Sequence, residues 1–188
     1  MVLAALVGLF VPTFANALLH PAYHRFDPLW RWAYQIHHSI KRLYLPGDVV
    51  FRPWEIIIDI ARFQGVIAVL RGLDPLAAAV VGYVGVFYGL FQHFNVRTPP
   101  WLGYIIQRPE SHGVHHRRGM HAYNYSYRPL WDMLWGTFGK KPRQFLDDVG
   151  FEGDSAARIA PTFVGGDANA PNYGPRNRGR SEASVNPA

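Results

Sequence analysis

Residues 2–19 form an apolar run in which Thr13 and Asn16 are the only polar side chains. As a helix, this run would be about 27 Å long at roughly 1.5 Å per residue, which approaches the thickness of the hydrocarbon core of a bilayer. A cleaved signal peptide begins with basic residues, but no Lys or Arg precedes Arg25 in this chain. The run therefore predicts a transmembrane helix that is retained in the protein.

Two further apolar stretches predict a helical hairpin in the membrane. Residues 56–70 contain two charges and a glutamine, which fits a shallow or protein-buried helix better than a lipid-exposed one. Residues 76–91 carry no charge, and their three glycines would let another helix approach closely. A buried hairpin in a soluble protein is the alternative that this pattern leaves open.

The distribution of basic residues predicts which face of the membrane the histidines occupy. All but two of the nineteen Lys and Arg residues lie in residues 25–52 or after residue 96. If residues 56–91 enter and leave the membrane on one side, both basic regions and all nine histidines share one face, which we expect to be cytoplasmic. The net charge of +6 would also suit nucleic acid. We expect no nucleic-acid partner, however, because such proteins do not normally arrange their charge around long apolar helices.

These patterns predict an all-α fold, an integral-membrane helical bundle with a cytoplasmic helical cap that carries the histidines. One membrane-embedded domain is expected over residues 1–152. Residues 153–188 are rich in Gly, Pro, Ala, Asn, Ser and Arg and poor in large apolar side chains, so we expect a disordered tail there. The chain contains no Cys, which excludes disulfides, thiolate metal sites and a Cys nucleophile.

The nine histidines fall into three groups and two single positions. His20 and His24 are four residues apart, which places them on one face of a helix at a chelating distance. The other positions are His37 and His38, then His112, His115 and His116, and singly His93 and His121. Neutral imidazole is a common ligand for iron, zinc and copper. Because the groups flank predicted membrane helices, where such residues are costly to keep, they predict a metal site.

The number of imidazoles indicates more than one metal ion. A catalytic zinc takes three protein ligands and a water, so eight or nine imidazoles suffice for two ions. By analogy with open-site non-haem iron, two irons with nitrogen ligands would suit O2 activation. Composition alone also allows a His-rich loop that binds lipid headgroups. A zinc hydrolase is a further alternative, but the sequence contains no His-Glu-x-x-His pattern to support it.

From about residue 16 to residue 139 the sequence resembles the fatty acid hydroxylase and sterol desaturase superfamily of integral-membrane di-iron proteins. The resemblance is most specific in its C-terminal half. The motifs that carry it are His20 to His24, Leu29-Trp30-Arg31, His37-His38-Ser39, His93-Phe94-Asn95, Pro100-Trp101-Leu102-Gly103, His112 to His116, Asn124-Tyr125, and Trp131 to Phe138.

The resemblance implies an enzyme that uses two iron ions (Fe2+/Fe3+), O2 and external electrons to hydroxylate or desaturate a membrane lipid such as a sterol or a fatty acyl chain. A cytochrome b5-like, ferredoxin-like or reductase partner would supply the electrons. The implied catalytic iron ligands are His20, His24, His37, His38, His112, His115 and His116, with His93 as a further ligand. The residues expected to support the ligand rings are Tyr34, Asn95, Glu110, Asn124 and Asp132.

The sequence departs from the family pattern in three places. Tyr34 stands where the middle motif begins with His, and one extra residue lies between Trp30 and His37. Tyr34 could ligate, pack or mark a lost ligand, and His121 is a candidate replacement. Ser126 stands where the family has Gly. A single predicted helix precedes the first His, so the domain looks truncated at the N-terminus relative to the family. A catalytically degenerate lipid-binding or scaffolding protein is therefore the alternative function.

Overall fold

The computed structural model of the chain describes residues 2–44, 57–58, 61, 74–118, 120, 122–139, 149–151 and 162–166. Its regular elements in these ranges are helices, and no β-strand occurs among them. The all-α class predicted from the sequence is confirmed for this part of the chain.

The first helix, α1, runs over Val2–Arg25 and includes the whole apolar run together with the first histidine pair. It continues through two internal prolines, Pro12 and Pro21. After Pro12, the hydroxyl of Thr13 donates hydrogen bonds to the carbonyls of Leu9 at 3.0 Å and Phe10 at 2.9 Å. The helix is thus as predicted in position and extends far enough to carry both histidines into the interior.

The structure does not confirm the predicted membrane spans. Among the helices of the described ranges, none combines the length and the apolar character needed to cross a bilayer. Most of the first arm of the predicted hairpin, residues 56–70, lies outside the described residues. The second arm forms a helix.

A compact series of turns follows α1. The short helix α2, Asp27–Leu29, leads into a π-helical turn over Trp30–Tyr34, which is followed by a 3-10 turn over His37–Ser39. The π-helical turn is marked by a hydrogen bond of 2.9 Å from the backbone N–H of Gln35 to the carbonyl of Trp30. Such a turn encloses one more residue than an α-helical turn. It therefore accommodates the extra residue that the sequence carries before His37.

Helix α3, Pro75–Phe91, packs along α1. Its start is fixed by the carboxylate of Asp74, which accepts hydrogen bonds from the N–H groups of Leu76 at 3.0 Å and Ala77 at 3.3 Å. The sequence predicted that another helix approaches closely at the glycines of this helix. No described residue does so at Gly82 or Gly85, which have open space beside them.

Two short helices complete the described architecture. A 3-10 turn over Pro100–Tyr104 precedes helix α4, Pro109–His115, and every residue of α4 is buried. Helix α5, Pro129–Trp135, ends at Gly136 in the left-handed conformation, with φ of 70°. Because α4 carries two histidines and is wholly buried, its placement sets the position of the site.

The segment 149–151 packs against the core and bonds to the backbone of His116. Phe151 packs in the core cluster with Tyr23, Trp30, Ala33 and Tyr34. Before it, the N–H of Gly150 donates to the carbonyl of His116 at 2.9 Å. Gly150 has φ of +85°, and a Cβ at this position would lie 2.5 Å from the carbonyl oxygen of Ile40. Glycine is therefore required where the chain passes this close to Ile40.

Residues 162–166 are the part of the predicted tail that the structure describes. Arg31 Nε donates to the carbonyl of Gly165 at 3.0 Å, and Gln35 Nε2 donates to the carbonyl of Gly166 at 2.7 Å. These bonds hold the segment against the π-helical turn. The polar composition of the tail concealed this docking, because the segment contributes backbone carbonyls rather than large apolar side chains. The rest of the tail lies outside the described residues.

Candidate metal centre

Eight buried histidines from four parts of the chain meet in the interior and form two sets of four. Group 1 consists of His20, His24, His38 and His115, and group 2 consists of His37, His93, His112 and His116. Within each group, one ring nitrogen of every histidine lies within 4.8 Å of a ring nitrogen of each other member. Each group could hold a metal ion, because four imidazole nitrogens form a sufficient donor set for one.

Histidines that are adjacent in the chain belong to different groups. His37 belongs to group 2 and His38 to group 1, while His115 belongs to group 1 and His116 to group 2. Successive side chains point about 100° apart on an α-helix and about 120° apart on a 3-10 turn, so two adjacent histidines reach two sites at once. Histidines four residues apart, such as His112 and His116, share a group, as the helical spacing predicts.

The contacts within group 1 match ligands around a shared ion. His20 Nε2 lies 2.8 Å from Tyr34 Oη and 2.9 Å from His115 Nε2. A ring nitrogen offers one N–H or one lone pair in the ring plane, so hydrogen bonding satisfies one contact and leaves the other unexplained. Two ligands bound at right angles to one ion, with bonds of about 2.0–2.1 Å, lie roughly 3 Å apart. The donor set of group 1 therefore fits a metal ion.

Group 2 shows the same crowding of ring nitrogens. His112 Nε2 lies 3.2 Å from His93 Nε2 and 3.0 Å from His116 Nε2. As in group 1, a single nitrogen has two close neighbours and one direction for bonding. Group 2 therefore fits a second ion by the same test.

Backbone carbonyls fix which ring nitrogen faces each group. His115 Nδ1 lies 2.8 Å from the carbonyl of Tyr123, and His93 Nδ1 lies 3.1 Å from the carbonyl of Gly89. A carbonyl oxygen only accepts hydrogen bonds, so each Nδ1 carries the proton and donates it. The lone pair of each ring is then on Nε2, which faces the other histidines. This is the arrangement that orients metal-binding imidazoles in proteins.

Three of the buried rings are held in the neutral form. Burial, followed by the charges of neighbouring histidines, holds the pKa of His37, His112 and His116 well below the usual value of 6.5. All three belong to group 2. Metal binding requires an unprotonated nitrogen, so a low pKa keeps these rings ready to bind a cation at neutral pH.

Asp132 supports the site through the loop that precedes α5. Its Oδ1 accepts from the N–H of Tyr125 at 2.9 Å and from Thr137 Oγ1 at 2.7 Å, and its Oδ2 accepts from the N–H of Ser126 at 2.9 Å. Burial raises the pKa of Asp132 to about 6, and these hydrogen bonds partly oppose the rise. The bonds fix a loop whose Tyr125 ring contacts the ring of His115, with centroids 5.2 Å apart.

Asn124 also acts through the backbone. It has a left-handed conformation with φ of 55°. Its Oδ1 accepts from the N–H of Gly139 at 2.8 Å, and its Nδ2 donates to the carbonyl of Ser111 at 2.9 Å. These bonds fasten the loop to α4 directly beside Tyr123, whose carbonyl orients His115. Asn124 therefore supports the ring from one residue away.

Glu110 fixes helix α4. Its carboxylate accepts from the N–H of Thr98 at 2.7 Å and from the hydroxyl of Thr98 at 2.8 Å, and it pairs with Arg108 Nη2 at 3.0 Å. Both charged side chains are buried. The sequence predicted that Glu110 orients a ligand ring, whereas the contacts of its carboxylate place the helix that carries His112. Asn95, predicted for the same role, is exposed.

Tyr34 lies at the histidines, with its Oη 2.8 Å from His20 Nε2 and its ring packed against that of Tyr23. The sequence identified Tyr34 as a departure from the family pattern but did not predict its contact with His20. His121 lies outside the described residues.

Three supporting residues were missed by the sequence reasoning. Arg108 and Thr98 form the network around Glu110, and Gln107 Nε2 donates to the carbonyl of Asn124 at 2.6 Å. An Arg two residues before a Glu gives no sign of burial. The carbonyl of Tyr123 was missed for a different reason, because every residue has a carbonyl and no sequence pattern distinguishes this one.

Comparison with known proteins identifies one family. The profile of the family described as fatty acid hydroxylase matches residues 5–137. The matched range contains all eight histidines of both groups and the loop that Asp132 and Asn124 hold. No curated protein and no solved structure gives a significant match to the chain.

Proposed function

The chain belongs to the fatty acid hydroxylase family, and from this membership we propose that it is a membrane-bound non-haem di-iron enzyme. In this proposal it uses O2 and external electrons to hydroxylate or desaturate a lipid. The observation that carries the proposal is the pair of adjoining groups of four buried histidines. A site for one structural ion would not need eight imidazoles in two groups.

The donor set supports iron. It consists of imidazole nitrogens, and the chain contains no Cys to provide thiolate ligands. Imidazole suits iron, and four protein ligands leave open positions on an ion that accepts six. Iron bound there would supply the one-electron chemistry by which O2 is activated toward an unreactive C–H bond.

The described residues provide binding, orientation and a dry environment. All eight histidine side chains are buried, which keeps bulk water away from the groups. The carbonyls of Tyr123 and Gly89 hold two rings with Nε2 toward the groups. The Asp132 carboxylate and the Arg108–Glu110 pair fix the loop and the helix on which the ligands lie. These contacts hold the elements that carry the histidines.

A lipid substrate and a membrane setting are supported by the outer surface of the two long helices. Large apolar side chains are exposed on α1, including Leu6, Phe10 and Leu18, and on α3, including Val86 and Phe87. Extended apolar surface of this kind is typical of contact with a membrane or an apolar ligand. The positive charge of the chain would attract an acidic electron donor.

A catalytically degenerate lipid-binding or scaffolding protein is the second candidate, because Tyr34 replaces a family histidine. The contact between Tyr34 Oη and His20 Nε2 favours the enzyme over this alternative. It places an oxygen that could bind a metal ion where the family has a histidine nitrogen. The two functions differ in metal content and in the need for O2.

The proposal is tested by turnover with labelled oxygen. The purified protein is loaded with ferrous iron without air and mixed with membrane lipids, a reductase system and 18O2, and the products are analysed by mass spectrometry. A hydroxylase gives 18O-labelled lipid, and a desaturase gives a product two hydrogens lighter, in both cases only with O2 and reductant. His115→Ala is the control for adventitious iron chemistry. A folded, iron-loaded protein that yields neither product across sterol and acyl lipids would contradict the enzymatic function.

A further inference from the structure

We propose that Tyr34 provides a phenolate oxygen as a fifth protein ligand to a ferric ion in group 1, so that the two irons are chemically unequal. The proposal rests on the iron centre proposed above and deepens it. The family resemblance predicts a histidine at this position, whereas the proposal concerns the oxygen donor that this chain carries instead.

The position of the Tyr34 oxygen is that of a ligand. Tyr34 Oη lies 2.8 Å from His20 Nε2, and the same nitrogen lies 2.9 Å from His115 Nε2. These distances agree with the separation of roughly 3 Å between ligands at right angles on one ion. The Tyr34 ring also lies against His24 and His38, with centroids 5.2 Å from each. Tyr34 thus contacts three of the four histidines of group 1.

A simple hydrogen bond between Tyr34 and His20 is incompatible with a metal ion in group 1. If the phenol donates to His20 Nε2, it occupies the lone pair that the ion requires. If an ion takes that lone pair, the phenol must release it. Tyr34 would then hold the ion as a phenolate: its O–H bond would break, its proton would pass to solvent and its oxygen would bind the ferric ion, with no change in the oxidation state of the iron.

The surrounding structure holds Tyr34 in this position. Its ring stacks on Tyr23 with centroids 4.6 Å apart and planes 4° apart. The π-helical turn Trp30–Tyr34 is held by Gln35, whose Nε2 donates to the carbonyls of Arg31 at 2.8 Å and Gly166 at 2.7 Å. Little ordering is therefore needed when the oxygen binds the ion.

A phenolate has a chemical consequence for the pair of ions. An anionic oxygen donor stabilises ferric over ferrous iron, as tyrosine does on catalase haem. The ion in group 1 would have four imidazoles and one phenolate, and the ion in group 2 four imidazoles. The first electron from a chemical reductant such as dithionite would then reduce the ion in group 2 and leave the ion in group 1 ferric.

Visible spectroscopy of the full-length ferric protein tests the assignment directly. Phenolate bound to ferric iron gives a charge-transfer band in the visible region, and resonance Raman excitation in that band enhances tyrosine ring modes. We expect the band in the wild-type protein and its loss in Tyr34→Phe, with the iron content measured alongside. Tyr23→Phe and Tyr125→Phe are matched controls, because both rings lie near group 1 and both variants are expected to keep the band.

The Tyr34→His variant covers the case in which Tyr34→Phe fails to retain iron. It restores the family donor and keeps the four histidines of each group, so we expect about two irons per chain and no visible band. Two ferric ions per wild-type chain without the band, or a band that survives in either Tyr34 variant, would overturn this inference and leave the proposed function intact. A folded wild-type protein that binds no iron would overturn both.

Discussion

The rings of His38 and His116 stack face to face, with centroids 4.2 Å apart and planes 20° apart, although the two residues belong to different histidine groups. This contact joins group 1 to group 2 through the chain's two histidine doublets. Each doublet contributes one histidine to each group, so two ions held by the groups would have these stacked rings between them. Metal analysis should therefore distinguish a variant that has lost one histidine of one group from a variant in which both groups are disrupted.

The substitution His115→Ala tests the assignment of ligands to groups. It removes one nitrogen from group 1 and leaves the four histidines of group 2, so iron is expected to fall below the wild-type content of about two per chain, toward one, and lipid oxidation to be lost. Iron is measured by metal analysis of the folded protein. Asn95→Ala is the control variant, because Asn95 lies two residues after His93 but its side chain is exposed, so its loss should not change the iron content. Equal iron in the wild type and in His115→Ala would contradict the assignment.

The substitution Asp132→Asn should destabilise the protein by roughly 2–4 kcal/mol, because an amide nitrogen cannot accept the hydrogen bonds that a buried carboxylate receives. The amide keeps one oxygen, so either Ser126 alone, or Tyr125 and Thr137 together, would lose an acceptor and face an N–H group instead. Asp27→Asn is the matched control. Asp27 is 62% exposed and lies 3.7 Å from Arg31, so its loss should change the free energy of unfolding very little. Urea unfolding measures both variants, and similar effects would argue against the role given to Asp132.

The metal-free protein should lose stability as the pH falls below about 6.5, the usual pKa of histidine. His37, His112 and His116 have a lowered pKa in the folded state through burial, so the unfolded chain binds up to three more protons than the folded one. The slope reaches about 4 kcal/mol per pH unit for three protons. Asp132 opposes this below pH 6, because its raised pKa gives the folded state an additional proton, and the slope falls to about 3 kcal/mol per pH unit.

Urea unfolding of the metal-free protein between pH 8 and pH 5 measures this dependence. The free energy of unfolding should be nearly constant above pH 7 and should decrease steadily below it. Stability that rises on acidification over this range would show that the buried histidines are not held neutral by the fold.

The substitution Gly150→Ala tests the close approach of the segment 149–151 to Ile40. A methyl group would meet the carbonyl of Ile40 and would require a left-handed conformation, so we expect a loss of at least about 2 kcal/mol. Gly82→Ala is the control, because Gly82 lies inside α3 with open space beside it and should gain about 0.5–1 kcal/mol. The free energies of unfolding of the two variants and the wild type test this expectation. A neutral Gly150→Ala would mean that the segment does not pass this close to Ile40.

The sequence was sufficient to predict which histidines lie one helical turn apart and could share a site, because helical spacing is visible in it. The pairs His20 with His24 and His112 with His116 each share a group, as expected from residues one turn apart. The assignment of His37 and His38 to different groups could not be predicted, because it depends on the conformation of the turn between α1 and these two residues. One extra residue there becomes a π-helical turn, and that choice is made by tertiary packing.

The supporting residues were harder to predict because they act through the backbone. Asp132 and Asn124 were identified by type, but their side chains bond N–H and carbonyl groups of the loop and of α4, which no residue pattern specifies. The burial of Glu110 with Arg108 depends on neighbours that are distant from the histidines in sequence. The docking of residues 162–166 was concealed for a similar reason, since Arg31 bonds a carbonyl there.

The central claim is that two groups of four histidines hold a pair of iron ions, and iron content combined with X-ray absorption tests it most directly. The protein is loaded with ferrous iron, freed of loosely bound metal and analysed at the iron edge. We predict about two irons per folded chain, each with nitrogen and oxygen neighbours near 2.0–2.1 Å and no sulfur neighbours. Fewer than one iron per folded chain, or iron bound equally by a variant that lacks both His38 and His115, would contradict the account.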